Sequence, residues 1–512
     1  MNLKYLGHAG WIIDTGKIKV LCDPWYNPEG AYYGGWFQFP SNEHTLADTL
    51  AEKIDYLYIS HRHDDHYDSW FLKKINKKTK VIIPRFKDKR LKNDIKKLGF
   101  ETIIELKEEQ EIFDGNLSLK IIPDEGYLDR DSALLLKVGD TKILNLNDCH
   151  LPFEHIKEKV GSVDVLLMQA SSAIWWPYSY EYDQESQRKH SKKKKDNVLK
   201  RALKYIKLLQ PELVIPNAGP PVFLNERFKN IIEDRGKDHN AFPLNDEINS
   251  FFQKNKVNSL LMNPGDIYSY STKEHERHKF AIDPYKNYHD YIAVMRKNKK
   301  FMNDEYMVQK NLISKQEIKN VPSIFAKKIN EIQSKSKVFF EKLESCVLFE
   351  FSGLHEKVCV DFSKKPCVVD SLNKWDYKFV FNPIKVALMF RENDIDFDDY
   401  LLGLDFKASR NPDMYNELLF TILKNFSPKR LRIAEFLYNE VNKKSDDLIT
   451  IKENGSVYQC QRFCPHMGAD LKEHGIVKNG KIICPLHGWA FDLETGLTPH
   501  SKTCKLKTKK IN

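Results

Sequence analysis

The residues best equipped for chemistry in this chain gather in two places. Near the start, Ser60-His61-Arg62-His63-Asp64-Asp65-His66-Tyr67-Asp68 packs three imidazoles and three carboxylates into nine residues. Histidines two apart project alike from an extended segment, and a turn after them can carry Asp65 and His66 to a second metal. Near the end, Cys464-Pro465-His466 and Cys484-Pro485-Leu486-His487-Gly488-Trp489 form two Cys/His pairs on separate loops. A [2Fe–2S] cluster with one iron on two thiolates and the other on two imidazoles needs this donor set. Gly468 and Gly488 allow each loop to fold tightly and turn backbone N–H groups toward the sulfides. A Cys2His2 zinc site would use the same atoms and is the alternative.

The elements that must position these groups can be read around them. An apolar run over residues 55–60 reads as the strand delivering the first cluster. Short strands are predicted at 3–5, 11–13, 19–22, 57–60, 81–83, 119–122, 133–138, 142–146, 163–168 and 213–215, with helices at 68–76, 94–98 and 198–209. That alternation predicts an α/β fold with two packed sheets or one large sheet. Between about 271 and 428 the chain becomes more helical and charged. A helix or helix pair is expected over 313–343 with a break at Pro322, an α/β module over 340–426, and a helix over 430–444. Short strands and turns return from 451. The domains expected are thus 1–270, 271–445 and 446–512. The lysine run Lys192–Lys195 reads as a solvated loop or helix start, with anion binding or substrate gating as the alternative.

A chain of 512 residues, 41% hydrophobic and 30% charged, has material for several cores. It is not a collagen, a small disulfide scaffold or a disordered chain. The balance of 81 basic against 71 acidic residues permits anionic ligands but does not imply nucleic acid. Nine cysteines, an odd number, do not build a disulfide framework. With neither a leader-like N-terminus nor an apolar run of membrane-spanning length, the expected location is the cytoplasm.

The C-terminal loops resemble the Rieske family, whose Cys-x-His and Cys-x-x-His pattern is filled at all four positions. The likeness extends over about residues 451–506 and includes the Phe491–Gly496 turn. It implies Cys464 and Cys484 on one iron and His466 and His487 on the other. Cys460 and Cys504 fall outside the motif and are given structural roles. The first cluster resembles the His-x-His-x-Asp-His motif of the metallo-β-lactamase fold. This implies His61 and His63 at one metal, Asp65 and His66 at a second. Asp64 and Asp68 lie outside the motif, and Asp68 is expected to cap the following helix. Gly7-His8-Ala9 and Cys22-Asp23-Pro24-Trp25 look like a subgroup of that fold. His8 then lies near the metals or serves a structural hydrogen bond, and Asp23 stands behind the ligands or is itself one of them. Asp148, preceded by Asn147 where the family has glycine, is the bridging carboxylate. His150 is a further ligand or an outer contact. The family's third first-site histidine is missing, and Asp124 or Glu125 replaces it or forms an acidic turn. The family's late histidine is also missing, with Asn217 near its place. Ser171, Ser172, Trp175 and Trp176 follow a strand end and either shape a pocket or pack.

Together these likenesses imply an αββα metallo-β-lactamase-like sandwich, a middle α/β module and a small all-β Rieske domain. A hydrolytic zinc site has no use for an electron-transfer cluster, whereas iron that activates O2 does. The arrangement resembles the CMP-N-acetylneuraminate hydroxylase family, although the vertebrate hydroxylase places its Rieske part first. The resemblance implies an iron-dependent monooxygenase holding two irons, with zinc as the alternative, in the N-terminal domain. His61, His63, Asp65, His66 and Asp148 carry the reaction. The substrate is a small polar molecule, anionic ones included, such as a nucleotide sugar or amino compound. Electrons come from a ferredoxin, cytochrome b5 or NAD(P)H-dependent reductase. No nucleic acid and no membrane span are expected, and oligomer formation is left open. The alternative is a metal-dependent hydrolase with an accessory redox cluster.

Overall fold

The computed structural model describes all residues except 125–130, 299–306, 309–311, 337, 392–396, 444–445 and 467. Two sheets form the N-terminal half. The strands are β1 (Asn2–Gly7), β2 (Gly10–Asp14), β3 (Lys19–Cys22), β4 (Tyr56–Tyr58), β5 (Lys80–Pro84), β6 (Ile103–Leu106), β7 (Glu111–Asp114), β8 (Leu117–Pro123), β9 (Ser132–Val138), β10 (Thr141–Asn147), β11 (Val165–Met168), β12 (Leu213–Pro216), β13 (Ile267–Ser269) and β14 (Glu274–Glu276). Their orders are β14-β13-β1-β2-β3-β4-β5-β6 and β12-β11-β10-β9-β8-β7.

Period-two alternation tells the faces apart. Trp11 and Ile13 of β2 meet Leu134 and Leu136 of β9 in the core between the sheets. Ile12 points outward to α1 (Ser69–Leu72) and α2 (Arg90–Lys97), where Phe71, Leu72, Leu91 and Ile95 cover it. On the far side, Leu135 and Leu144 lie under α3 (Phe153–Lys159), α4 (Gln184–Leu209) and α5 (Asn245–Lys254). The result is the αββα sandwich expected. β3, β4, β5 and β6 run parallel, so their C-terminal ends open on one edge. In open α/β sheets that edge is where functional loops collect.

A five-stranded sheet follows, made of β15 (Cys346–Phe351), β16 (Val358–Asp361), β17 (Val368–Val369), β18 (Tyr377–Phe381) and β19 (Phe406–Arg410), in the order β17-β16-β15-β18-β19. Helices α6 (Val321–Lys335), α7 (Phe397–Leu402) and α8 (Glu417–Lys424) pack on it through Phe325, Phe397 and Phe420. The C-terminal region holds two three-stranded sheets. One joins β20 (Leu448–Glu453), β21 (Ser456–Gln461) and β25 (Thr508–Lys510), the other β22 (Ile476–Lys478), β23 (Lys481–Cys484) and β24 (Trp489–Asp492).

The three parts share cores. Leu166 and Tyr205 of the sandwich belong to the same buried cluster as Ile482, Leu486 and Phe491 of the C-terminal region. Trp25, Trp36 and Trp175 join the core of the middle module. Gly35 and Gly403 meet backbone to backbone there: a Cβ on Gly35 would stand 2.7 Å from Gly403 Cα. Gly35→Ala should therefore wedge this junction and cost about 1–3 kcal/mol. Urea unfolding would measure it, and an unchanged midpoint would refute the close contact.

Several expectations change in detail. Strands β6, β7, β13 and β14 were not foreseen. Both β7 and β14 are short edge segments with charged residues at their ends; in β7 Ile112 packs on the core while Phe113 is exposed. The helix expected over 198–209 begins at Gln184, because Asp183 caps it by accepting from Ser186 N at 2.8 Å. The lysine run thus lies inside a helix. The expected break falls beside Pro322, between a short helix over Lys315–Lys319 and α6. Pro322 itself occupies the first turn of α6, where its missing N–H costs nothing.

Candidate metal centres

The N-terminal donors converge on the strand-end edge. β4 ends at Tyr58 and the chain turns through Ser60–Asp68 into α1, capped as expected by Asp68 Oδ1, which accepts from Trp70 N and Phe71 N at 2.9 and 3.2 Å. Two groups of donor atoms form. His8, Asp65 and His66 make one; His61, His66 and Asp148 make the other. His66 belongs to both. His8 Nε2 donates to Asp65 Oδ2 at 2.7 Å, and Tyr32 OH donates to Asp65 Oδ1 at 2.5 Å. His61 Nε2 lies 2.8 Å from His63 Nδ1, so His63 adjoins the second group.

Each of the three clustered histidines has a carboxylate behind it. Asp23 Oδ2 is 3.0 Å from His66 Nδ1, and Asp131 Oδ1 is 3.3 Å from His61 Nδ1. Asp398 Oδ2, from α7 of the middle module, is 3.6 Å from His63 Nε2. Such outer carboxylates fix imidazole tautomer and orientation in metal sites. Asp23 also accepts from Ser60 N and Oγ at 2.8 and 2.7 Å, which locks the start of the loop.

The backbone is strained where these groups emerge. His8, Asp23, Tyr32 and Asn147 all have positive φ, at 49°, 37°, 56° and 42°. Non-glycine residues in that region cost energy and persist where surroundings impose them. Asn147 adopts the conformation that glycine would take at lower cost. Its Oδ1 accepts from Asp148 N and Cys149 N at 2.6 and 3.2 Å, which aims Asp148 at the site.

The electrostatics suit a cation. Burial opposes charge on His66, yet Asp148, Asp65 and Asp23 hold its pKa well above the usual value. Burial likewise opposes the Asp65 carboxylate, but His66 and His8 keep it well below its ordinary range. Burial and neighbouring His66 push His61 down to about 3, leaving a neutral imidazole. His66 Nε2 and Asp148 Oδ1 are buried, make no hydrogen bond, and face each other at 3.4 Å. Unsatisfied buried donors and acceptors of this kind fit a metal ion.

The C-terminal donors also converge. Cys464 and Cys484 are buried and their sulfurs lie within hydrogen-bonding reach of each other. The His466 and His487 rings are 4.9 Å apart, and His466 stacks on Trp489 at 3.8 Å. His487 Nδ1 is buried without a hydrogen-bond partner, as a metal-binding nitrogen would be. Burial, with Lys194 nearby, lowers His466 to about 3, so this imidazole is neutral too. The two loops close alike. Gly468 N donates to Cys464 O and Gly488 N to Cys484 O, both at 2.8 Å, with φ of +73° and +72°. A Cβ on Gly488 would also stand 2.9 Å from Asn197 Nδ2 of α4. Gly488→Ala should thus strain the loop by about 1–2 kcal/mol and lower iron and sulfide content. Full wild-type content would count against the loop's role.

The remaining candidates are placed as follows. Asp124 and His150 lie outside both N-terminal donor groups; Glu125 is outside the described residues. Asn217 Nδ2 reaches Asn145 Oδ1 at 3.4 Å. Ser171 and Ser172 are buried with unpaired hydroxyls near this edge. Trp175 stacks on Phe420 of α8, and Trp176 Nε1 donates to Tyr182 OH, so both pack. Cys460 and Cys504 are buried in the core around the loops. Within the lysine run, Lys192 pairs with Asp196 and Asp238, Lys195 with Glu247. Tyr32, Asp131 and Asp398 were not foreseen. They come from a loop, a strand start and another module, and no local pattern marks them. Asp398→Asn should weaken metal retention at the N-terminal site by roughly 10-fold or more. Metal titration of the variant tests this, and unchanged affinity would make Asp398 a packing residue.

These features define a protein that joins a metallo-β-lactamase-type metal pocket to a Rieske-type cluster site. Comparison with known proteins agrees. Residues 2–218 match the β-lactamase superfamily domain, 322–440 the Rv3818-like, SCP2-like domain, and 432–508 the Rieske [2Fe-2S] domain. The chain is 30% identical over 533 residues, 97% of each protein, to the "Putative Rieske 2Fe-2S iron-sulfur protein Rv3818" of Mycobacterium tuberculosis. It belongs to the family of that protein. It is 25% identical over 275 residues to the cytidine monophosphate-N-acetylneuraminic acid hydroxylase of Danio rerio, covering 52% of this chain and 45% of that one. It is also 25% identical over 213 residues to the 4-amino-L-phenylalanyl-[CmlP-peptidyl-carrier-protein] 3-hydroxylase of Streptomyces venezuelae, covering 38% and 39%. Among the described residues no helix is long and apolar enough to cross a membrane.

Proposed function

We propose that the chain is an iron-dependent monooxygenase that hydroxylates a small polar substrate, such as a nucleotide sugar or an amino compound. The supporting observation is the juxtaposition of the two donor sets in one chain: His150, two residues after Asp148, packs its ring 6.1 Å from that of His487. The two relatives with hydroxylase names support the same reading. Iron at the N-terminal site would supply O2 activation, and a [2Fe–2S] cluster one-electron transfer. Overall, substrate C–H, O2, two electrons and two protons become C–OH and water, with a ferredoxin, cytochrome b5 or NAD(P)H-dependent reductase as the donor.

The residues divide this work. Cys464 and Cys484 would hold one cluster iron, His466 and His487 the other. His61, His63, Asp65, His66 and Asp148, joined by His8, would hold the N-terminal metal. Asp23, Asp131 and Asp398 keep the imidazoles oriented. Tyr32 OH is hydrogen-bonded to Asp65 and fixes its carboxylate. Ser171 and Ser172 offer hydroxyls to a polar substrate. Metal analysis with EPR of anaerobically reduced protein is the test. Iron beyond the two of a cluster, and turnover that requires reductant, are expected. Zinc in the N-terminal site with reductant-free turnover would instead make the protein a hydrolase carrying an accessory cluster.

A further inference from the structure

One side chain between the two centres belongs to neither donor set. His150 leaves the loop after β10, and its ring meets His487 edge-on, with the planes at 71°. Arg201 of α4 ties the two together. Its Nη2 donates to His150 Nε2 at 2.8 Å, and its Nη1 donates to the carbonyl of Leu486, the residue before His487, at 3.3 Å. Arg201 is only 7% exposed, so water has little access to replace either bond. A guanidinium has donors and no acceptor, so Nε2 must accept and the ring proton sits on Nδ1. The ring is thus held in one tautomer and one orientation. On its other side, Cys149 alone separates His150 from Asp148, whose Oδ1 faces His66 Nε2. From His487 through His150 to Asp148, packed protein atoms connect the two centres within a single polypeptide.

We infer that His150 is the relay through which an electron passes from the cluster to the N-terminal metal, and that Arg201 is its positioning residue. The inference rests on the oxygenase reading above. In each passage the reduced cluster returns to its diferric state and one ferric ion of the N-terminal site becomes ferrous. No bond forms or breaks at His150. Electron tunnelling weakens steeply with the length of a gap, so ring contact and a short covalent path favour transfer inside one chain. The arrangement also gives a purpose to the docking of the C-terminal region on α3 and α4, where Asp470 N donates to Glu154 Oε1 at 2.7 Å.

The test uses full-length protein loaded at both centres. A flash-generated one-electron reductant, a deazaflavin radical, reduces the cluster, and its reoxidation is followed by visible absorbance. In wild type a first-order phase independent of protein concentration is expected. His150→Ala should slow that phase at least tenfold, and Arg201→Met should slow it less. In His150→Ala the EPR g-values and midpoint potential of the cluster, and the iron content of the N-terminal site, should stay as in wild type, whereas Arg201→Met, which removes a buried positive charge beside His487, should lower the potential. If alanine disturbs loading, His150→Leu fills most of the space and carries the same expectation. Unchanged transfer in a loaded His150 variant overturns the relay alone. A phase whose rate rises with protein concentration also overturns it, since electrons would then pass between chains. A wild-type cluster that never gives its electron to the N-terminal metal overturns the oxygenase reading and the relay with it.

Discussion

His66→Ala is expected to empty the N-terminal site and abolish turnover while leaving the C-terminal cluster spectrum intact. No other donor serves both groups: His66 stands with His8 and Asp65 on one side and with His61 and Asp148 on the other. Its Nδ1 is anchored on Asp23, so Nε2 is directed inward. Outer hydrogen-bond partners of metal ligands are worth roughly 10–100-fold in affinity, and a shared ligand should exceed that range. The loss also leaves Asp148 Oδ1 buried without the imidazole it faces, and Asp65 with His8 and Tyr32 alone, which penalises the folded site further. His61→Ala and His63→Ala should act in the same direction. Metal analysis of each purified variant, with EPR of its reduced cluster, separates the centres. Retention of full metal in His66→Ala would show that the two groups are not the binding site.

The second large effect is expected at Cys464→Ser. Cys464 is 2% exposed and packs with Cys484 beneath the two closing glycine turns. A serine oxygen is a poor substitute for thiolate toward ferric iron, so the cluster's visible bands and EPR signal should disappear. Reductant-driven turnover should fall to background, while N-terminal metal content stays as in wild type. Circular dichroism guards against simple unfolding, because Cys464 and Cys484 belong to the core shared with the sandwich. Turnover that persisted at the wild-type rate without a cluster would end the coupled scheme.

Both donor sets were legible because metal chemistry demands particular residues at short spacing. Thiolates and imidazoles on two tight loops, or imidazoles alternating on an extended segment, leave a local signature that survives any tertiary context. The sandwich was legible for a related reason. Its buried strands, such as β9 and β10, are apolar runs or alternations that water alone enforces. The strands β7 and β14 were missed because they are short, carry charged residues at their ends and owe their extended form to pairing with a neighbour.

The amino-acid order by itself determined which side chains can bind metal, that they form two separate constellations, and where the N-terminal sheets gather their strands. Only the folded chain decided how the parts serve one another. Asp398 reaches His63 and Asp131 reaches His61 across separations of 335 and 70 residues, and Arg201 holds His150 against His487, 337 residues further on, about which local spacing says nothing. Those contacts follow from burial of shared apolar faces, which brings distant segments together and leaves their few polar groups to find partners in a low-dielectric interior.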